Sequence, residues 1–203
     1  MSRAATSKAA TPDRRRLILY VTLAVVAIAI VVAVVLGSRT NVVRKAASEA
    51  PMNSKLKAGD TAPEFAIQTN GGSFDLAQVS TPVLLEVFAT WCPHCQRETA
   101  TLNELAGKYA GKLAIVAVSG SPYGIDGSSP ESQTDVNRFG QQFQVRYPLA
   151  FDQDLKVAQL YLQGGFPTLV LIDRNKKITA IKSGEVTPAD LEKLINPVVN
   201  PAV

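Results

Sequence analysis

The stretch PVLLEVFATWCPHCQRE, residues 82–98, decides how the chain folds. Its first eight residues form an apolar run of strand length, broken only by Glu86. A run of that kind fits a strand buried on both faces. After Pro93 the pattern changes, and Leu102, Leu105, Ala106 and Tyr109 recur at the spacing of one helix face. Between strand and helix stands WCPHC, residues 91–95, which holds both cysteines of the chain and its only histidine, His94.

Working outward, residues 113–119 read as a second buried strand, which makes a β-α-β unit with the first. Residues 120–132 are a loop rich in Gly, Ser and Pro, and 134–143 are helical. A short strand over 147–152 and a short helix over 155–162 follow. Residues 168–173 and 178–184 form a hairpin around RNKK. Thr187 caps a last helix, with Pro188 at its first position and Leu191, Leu194 and Ile195 facing inward. Upstream, residues 59–76 form a hairpin around Asn70, Gly71 and Gly72. The order predicts an α/β domain over 58–203, a mixed central sheet flanked by helices.

The chain has 203 residues and a formal net charge of +4, but the charge is unevenly placed. Residues 1–45 carry eight Lys/Arg against one Asp, and the rest carries 13 Lys/Arg against 16 Asp/Glu. The folded part is therefore mildly acidic, which argues against nucleic acid as a partner. Residues 17–36 contain no charge, no Pro and no Gly. Twenty residues of helix span about 30 Å, the thickness of a bilayer's hydrocarbon core. A secretory signal has a shorter apolar core and a small-residue cleavage site, which LGSRTNVVRK lacks. The expectation is one transmembrane helix over 17–37, a basic cytoplasmic segment over 1–16 and a tether over 38–57. Arg14, Arg15 and Arg16 abut the apolar run and favour an inside N-terminus, which puts the C-terminal domain outside the cytoplasm.

Two cysteines three residues apart cannot staple a fold, so they are free for chemistry. Cys92 falls at a helix N-terminus, where free N–H groups and the dipole favour a thiolate. A thiolate there attacks a disulfide to form a mixed disulfide, and Cys95, one turn on, can resolve it. Pro93 needs no N–H partner in the first turn. His94 can offer a charge or an N–H donor beside the thiolate. A zinc site wants four ligands, and Cys92, Cys95 and His94 leave it short, so no metal is expected. The expected redox centre is the Cys92–Cys95 disulfide itself, with no other cofactor.

With VFATWCPHCQRE (87–98), APEF (62–65), YPLAFD (147–152) and GGFPTLVLID (164–173), the chain resembles the thioredoxin superfamily. Over about residues 58–196 it looks like the membrane-anchored TlpA/ResA-like thiol–disulfide oxidoreductases. The resemblance implies a thioredoxin-like fold with an insertion between central strand and helix. It implies action on protein thiols or disulfides outside the cytoplasm, often in cytochrome c maturation. Pro167 matches the family's cis-proline; on the residues alone, cis and an ordinary trans turn are equally open. The backbone of Phe166 would then pair with a substrate strand, and the substrate-facing set is Trp91, Phe166, Pro167 and Thr168. By the same analogy Glu86, six residues before Cys92, accepts the proton of Cys95; the bland alternative is a strand-edge Glu facing solvent. Glu98 matches a Glu common after the motif, where a surface role is equally open. The family's Pro two residues later is Ala100 here, which leaves the local packing of Cys95 open.

The direction of electron flow stays open at this stage. The inner Pro-His dipeptide matches the oxidant DsbA, whereas the surrounding frame is TlpA-like and places reductase ahead. A recycling partner would be a membrane donor of the CcdA/DsbD sort, or a quinone-linked oxidase. A DsbA-like oxidase is the alternative. A Sco-like copper module, which uses C-x-x-x-C and a distant His, fits less well. A peroxiredoxin's T-x-x-C is absent.

Overall fold

Strand β3, Val83–Phe88, is buried along its whole length and lies deep inside a seven-stranded sheet. The structure is a computed structural model that describes residues 18, 20, 23–27 and 54–201. The strands are β1 (Ala66–Thr69), β2 (Gly72–Asp75), β3, β4 (Ala114–Ser119), β5 (Leu149–Phe151), β6 (Thr168–Ile172) and β7 (Ile178–Ser183). The helices are α1 (Pro93–Lys108), α2 (Gln133–Gln142), α3 (Lys156–Tyr161) and α4 (Pro188–Val199). Strand order is β2-β1-β5-β4-β3-β6-β7. β3 pairs parallel with β4 and antiparallel with β6, so the sheet is mixed as expected. α2 and β5 are inserted between β4 and α3.

Alternation along β3 decides what each face holds. Successive side chains point to opposite faces. Leu84 and Phe88 join the core that contains Leu102 and Leu105 of α1, Phe139 of α2 and Leu191 and Ile195 of α4. Val83, Leu85 and Val87 join the opposite core, with Val157, Ala158 and Tyr161 of α3. The same parity puts Glu86 on the face of α1. β3 is followed at once by the turn into α1, so its end places WCPHC at the rim of the sheet.

Local chemistry fixes the helix starts. Ser132 and Asp135 form a reciprocal capping box on α2. The Thr187 side chain accepts from the Asp190 N–H, and Pro188 sits in the first turn of α4. Buried Asp152 accepts from the N–H groups of Lys156 and Ala158 and so caps the short α3. α1 has no side-chain cap at all, and Cys92 occupies its N-cap position. At Gly120 a Cβ would lie 2.6 Å from the Ala158 Cβ, so glycine lets the end of β4 approach α3.

The chain divides into two units, Met1–Glu49 and Ala50–Val203. The described residues of the first are helical, and Ile18, Tyr20, Leu23, Val25 and Val26 are each more than half exposed. Among the described residues no helix is long and apolar enough to cross a membrane. The basic segment 1–16, most of the span 17–37 and the tether as far as residue 53 lie outside them. The end of the expected tether belongs to the folded domain. The Ser54 N–H donates to the Leu162 carbonyl, Gln163 Nε2 donates to the Leu56 carbonyl, and Leu56 packs on the core.

Candidate active site

Both cysteines are free thiols, and their surroundings differ sharply. Cys92, at the N-cap of α1, is 5% exposed, and its Sγ lies 3.7 Å from the Phe166 carbonyl oxygen. Its pKa is lowered to about 6. The largest cause is the hydrogen bond from the Cys95 thiol; the N–H groups of Cys95 and His94 at the open helix start add to it, against the opposing effect of burial. Cys95 is fully buried, and its thiol is pushed far above the ordinary range, first by burial and then by the hydrogen bond it makes to Cys92. α1 runs without a break through Ala100, and Cys95 is packed tightly without the missing proline.

Glu86 is 2% exposed, and one of its oxygens has no hydrogen-bond partner among the described residues. The solvent-facing alternative is thereby excluded. Burial first, then the charges of Glu98 and Cys92, raise its pKa well above the carboxylate range. Its charge in turn opposes ionisation of Cys95. Glu98 is also fully buried, not a surface residue. Its Oε2 accepts from the Val186 N–H at 2.9 Å, and burial pushes its pKa up to about 7. The Tyr147 hydroxyl is buried in the same cluster, where Glu86, Thr99, Glu98 and Cys95 all act on it.

The rim comes from three separate segments. The Phe166–Pro167 bond is cis, and the Gly184 N–H donates to the Pro167 carbonyl. Trp91 stacks edge-on against Phe166, and its Nε1–H donates to Ser121 Oγ at 2.8 Å, which ties the 120–132 loop to the motif. Pro93 and His94 are exposed. Thr168, expected to face substrate, is instead fully buried. Its hydroxyl lies 2.9 Å from both the Gln163 and Gly165 carbonyl oxygens, between which its one hydrogen is shared, and accepts from the Gln163 N–H, so it braces the turn before Pro167. The structure thus brings together Cys92, Cys95, Glu86, Trp91, Phe166 and Pro167 and sets Thr168 behind them.

Other polar neighbours of the motif were not legible in the sequence. Glu185 stands 91 positions from His94 in the chain, yet its Oε2 lies 3.1 Å from His94 Nδ1, and it also pairs with Arg97. Glu131, in the loop, is buried and accepts from the Thr90 hydroxyl at 2.7 Å. Burial raises its pKa to about 7. The signal available was a carboxylate in a Gly/Ser/Pro-rich loop, which by itself reads as solvated.

Comparison with known proteins follows the same lines. The redoxin family is matched over residues 57–195. Thiol-disulfide oxidoreductase ResA of Bacillus cereus is 30% identical over 141 residues, covering 68% of this chain and 76% of that protein. Thioredoxin-like protein YneN of Bacillus subtilis is 29% identical, covering 70% of this chain and 80% of that protein. Among solved structures, a candidate thiol:disulfide interchange protein DsbE from Chlorobium tepidum superposes with a TM-score of 0.62 at 30% identity. It is covered over its whole length by 72% of this chain. StoA of Bacillus subtilis, at 18% identity and a TM-score of 0.55 over 66% of this chain and 97% of its own, shares the fold.

The two carboxyls near 7 make stability depend on pH in a fixed direction. In the unfolded chain each titrates at about 4.3, so between that value and about 7 the folded state holds protons the unfolded state has released. Their contribution is full below the lower value and is lost as pH rises through about 7. Glu98→Gln and Glu131→Gln should therefore each gain stability relative to the parent as pH rises from about 4.5 to about 7.5. Urea midpoints across that range measure this, and a difference that stays flat with pH would show that these carboxyls are unshifted.

Proposed function

The chain is a member of the redoxin family and a thiol–disulfide oxidoreductase, and from that premise we propose that it reduces protein disulfides outside the cytoplasm while anchored by residues 17–37. The observation that carries the direction is the modest lowering of the Cys92 thiol to about 6. The nucleophilic cysteine of thioredoxin titrates at about 7 and that of the oxidant DsbA at about 3.5. Each pKa unit is tenfold in stabilisation of the thiolate, and a stabilised thiolate makes the disulfide a stronger oxidant. Cys92 stands nearer the reducing end of that scale. The ResA and DsbE likenesses support thiol–disulfide exchange as the reaction, and a place in cytochrome c maturation is part of what we propose.

The proposed reaction transfers two electrons. The Cys92 thiolate attacks one sulfur of the substrate disulfide; the substrate's S–S bond breaks and the departing sulfur leaves with the electron pair. Cys95 loses its proton, attacks Cys92 and releases the substrate as a dithiol, leaving Cys92–Cys95 oxidised. Glu86, buried on the same face of the sheet, is proposed to hold and return the proton of Cys95. Phe166 and Pro167 would present backbone to an extended substrate segment beside Cys92, with Trp91 forming the side of that groove. A spent enzyme then needs an electron donor of the CcdA/DsbD class. What supports the anchor is the apolar run itself, together with the exposure of Ile18, Leu23, Val25 and Val26, apolar helical side chains that lipid would cover.

The test is the Cys92–Cys95 reduction potential, measured by equilibrium with glutathione. A value nearer about −270 mV than about −120 mV is expected; one near about −120 mV would contradict the reductase reading and favour an oxidase.

A further inference from the structure

The loop between β4 and α2, residues 120–132, is a hairpin with its own internal bonding. Tyr123 and Pro130 form an isolated antiparallel bridge. The Gly124 N–H donates to the Ser129 carbonyl at 2.9 Å, and the Glu131 N–H donates to the Pro122 carbonyl at 3.1 Å. Asp126 closes the turn: its carboxylate accepts from the N–H groups of Ser128 and Ser129 and from the Ser129 hydroxyl. Gly124 lets the hairpin lie against α2, since a Cβ there would stand 2.8 Å from Asp135 Oδ2.

Each leg of the hairpin holds one of the two residues that precede Cys92. On one leg the buried Ser121 hydroxyl accepts from Trp91 Nε1–H at 2.8 Å and from the Tyr123 N–H at 3.0 Å, and it donates to the Tyr123 carbonyl at 2.8 Å. Its one hydrogen and two lone pairs are all used. On the other leg buried Glu131 accepts from the Thr90 hydroxyl at 2.7 Å. The Trp91 ring meets Phe166 edge-on at 6.1 Å, so Trp91 joins the hairpin to the cis-proline turn beside Cys92. Among the described residues of the folded domain three large hydrophobic side chains are exposed, Trp91 at 37%, Tyr123 at 42% and Leu160 at 37%, and two of the three belong to this surface. We propose that residues 121–131 extend the polypeptide groove, that Trp91 and Tyr123 receive an aromatic side chain flanking the substrate's reactive cysteine, and that Glu131 is the positioning residue that docks the hairpin. Aromatic rings grip one another through buried area and edge contacts, and a hairpin fixed in advance loses little entropy on binding. The proposal rests on the groove beside Cys92 and is independent of the direction of electron flow.

Trp91 is the only tryptophan of the chain, so its fluorescence reports directly on how the hairpin is seated. The substrates are two short peptide disulfides, each a peptide joined to its own copy through one cysteine, with Phe beside the cysteine in one and Ser in the other. The reduced full chain, in micelles of a non-aromatic detergent, should attack the Phe peptide about two- to tenfold faster, the size of one added aromatic contact. Tyr123 is exposed, so Tyr123→Ser should fold, and in that variant the ratio of the two rates should fall. Glu131→Ala should lower the same ratio and leave Trp91 more open to quenching by acrylamide. Glu131→Gln keeps an oxygen for the Thr90 hydroxyl and should match the parent in both. Equal rates for the two peptides in the parent, or the parent's ratio in Tyr123→Ser, would overturn the groove assignment. A merely structural Glu131 would lower the melting temperature of Glu131→Ala and leave ratio and quenching as in the parent, and that result would remove its positioning role. Failure to exchange with either peptide would contradict thiol–disulfide exchange itself, and this proposal with it. The potential of the unmutated pair alone decides direction, so the two readings fail separately.

Discussion

The site depends on the pairing of its two thiols, in which Cys95 acts as a donor toward the Cys92 sulfur. It is the largest influence lowering the Cys92 pKa, and it also raises that of Cys95. Burial amplifies the difference, because Cys95 is wholly enclosed while Cys92 reaches the rim beside Phe166. Two chemically identical side chains are thereby split into a nucleophile that ionises near neutrality and a reserve that does not. The uncapped start of α1 adds its N–H groups to the same sulfur.

That pairing needs Cys95 held on the buried side of α1, and the sheet supplies the wall. Parity along β3 puts Leu84, Glu86 and Phe88 on the face that α1 covers. Two of those are ordinary core residues. Glu86 is costly there, and it is joined by Glu98 and the Tyr147 hydroxyl in one buried polar cluster. Their negative charges oppose one another, so the cluster favours retaining protons. A resolving thiol that has to lose and regain a proton away from water sits next to groups able to carry one.

Most of the fold was legible because its signals are local. The buried runs of β3, β4 and β6, the period of α1 and the Thr187-Pro188 start of α4 are each contained in a short window. The cysteines, the buried position of Glu86 and the cis bond at Pro167 were within reach too, the last through resemblance. What escaped depends on contacts between distant positions. Thr168 follows Pro167 directly, yet strand alternation turns its side chain inward to brace Gln163 and Gly165. Glu185 meets His94 only because β7 returns beside β6 and delivers the loop after it to the start of α1. Glu131 looked like a solvated loop carboxylate until the loop folded over Thr90. No window of sequence carries such pairings.

The central claim is that the neighbouring thiol, more than the bulk environment, sets the acidity of Cys92. Titrating the thiolate absorbance of the reduced chain, beside a Cys95→Ala variant, tests it most directly. The account predicts a Cys92 pKa of about 6 in the parent. In the variant, which lacks the donor, it should rise toward the ordinary thiol value of about 8.5. A parent titrating near that ordinary value, or a variant that still titrates with the parent, would contradict the account.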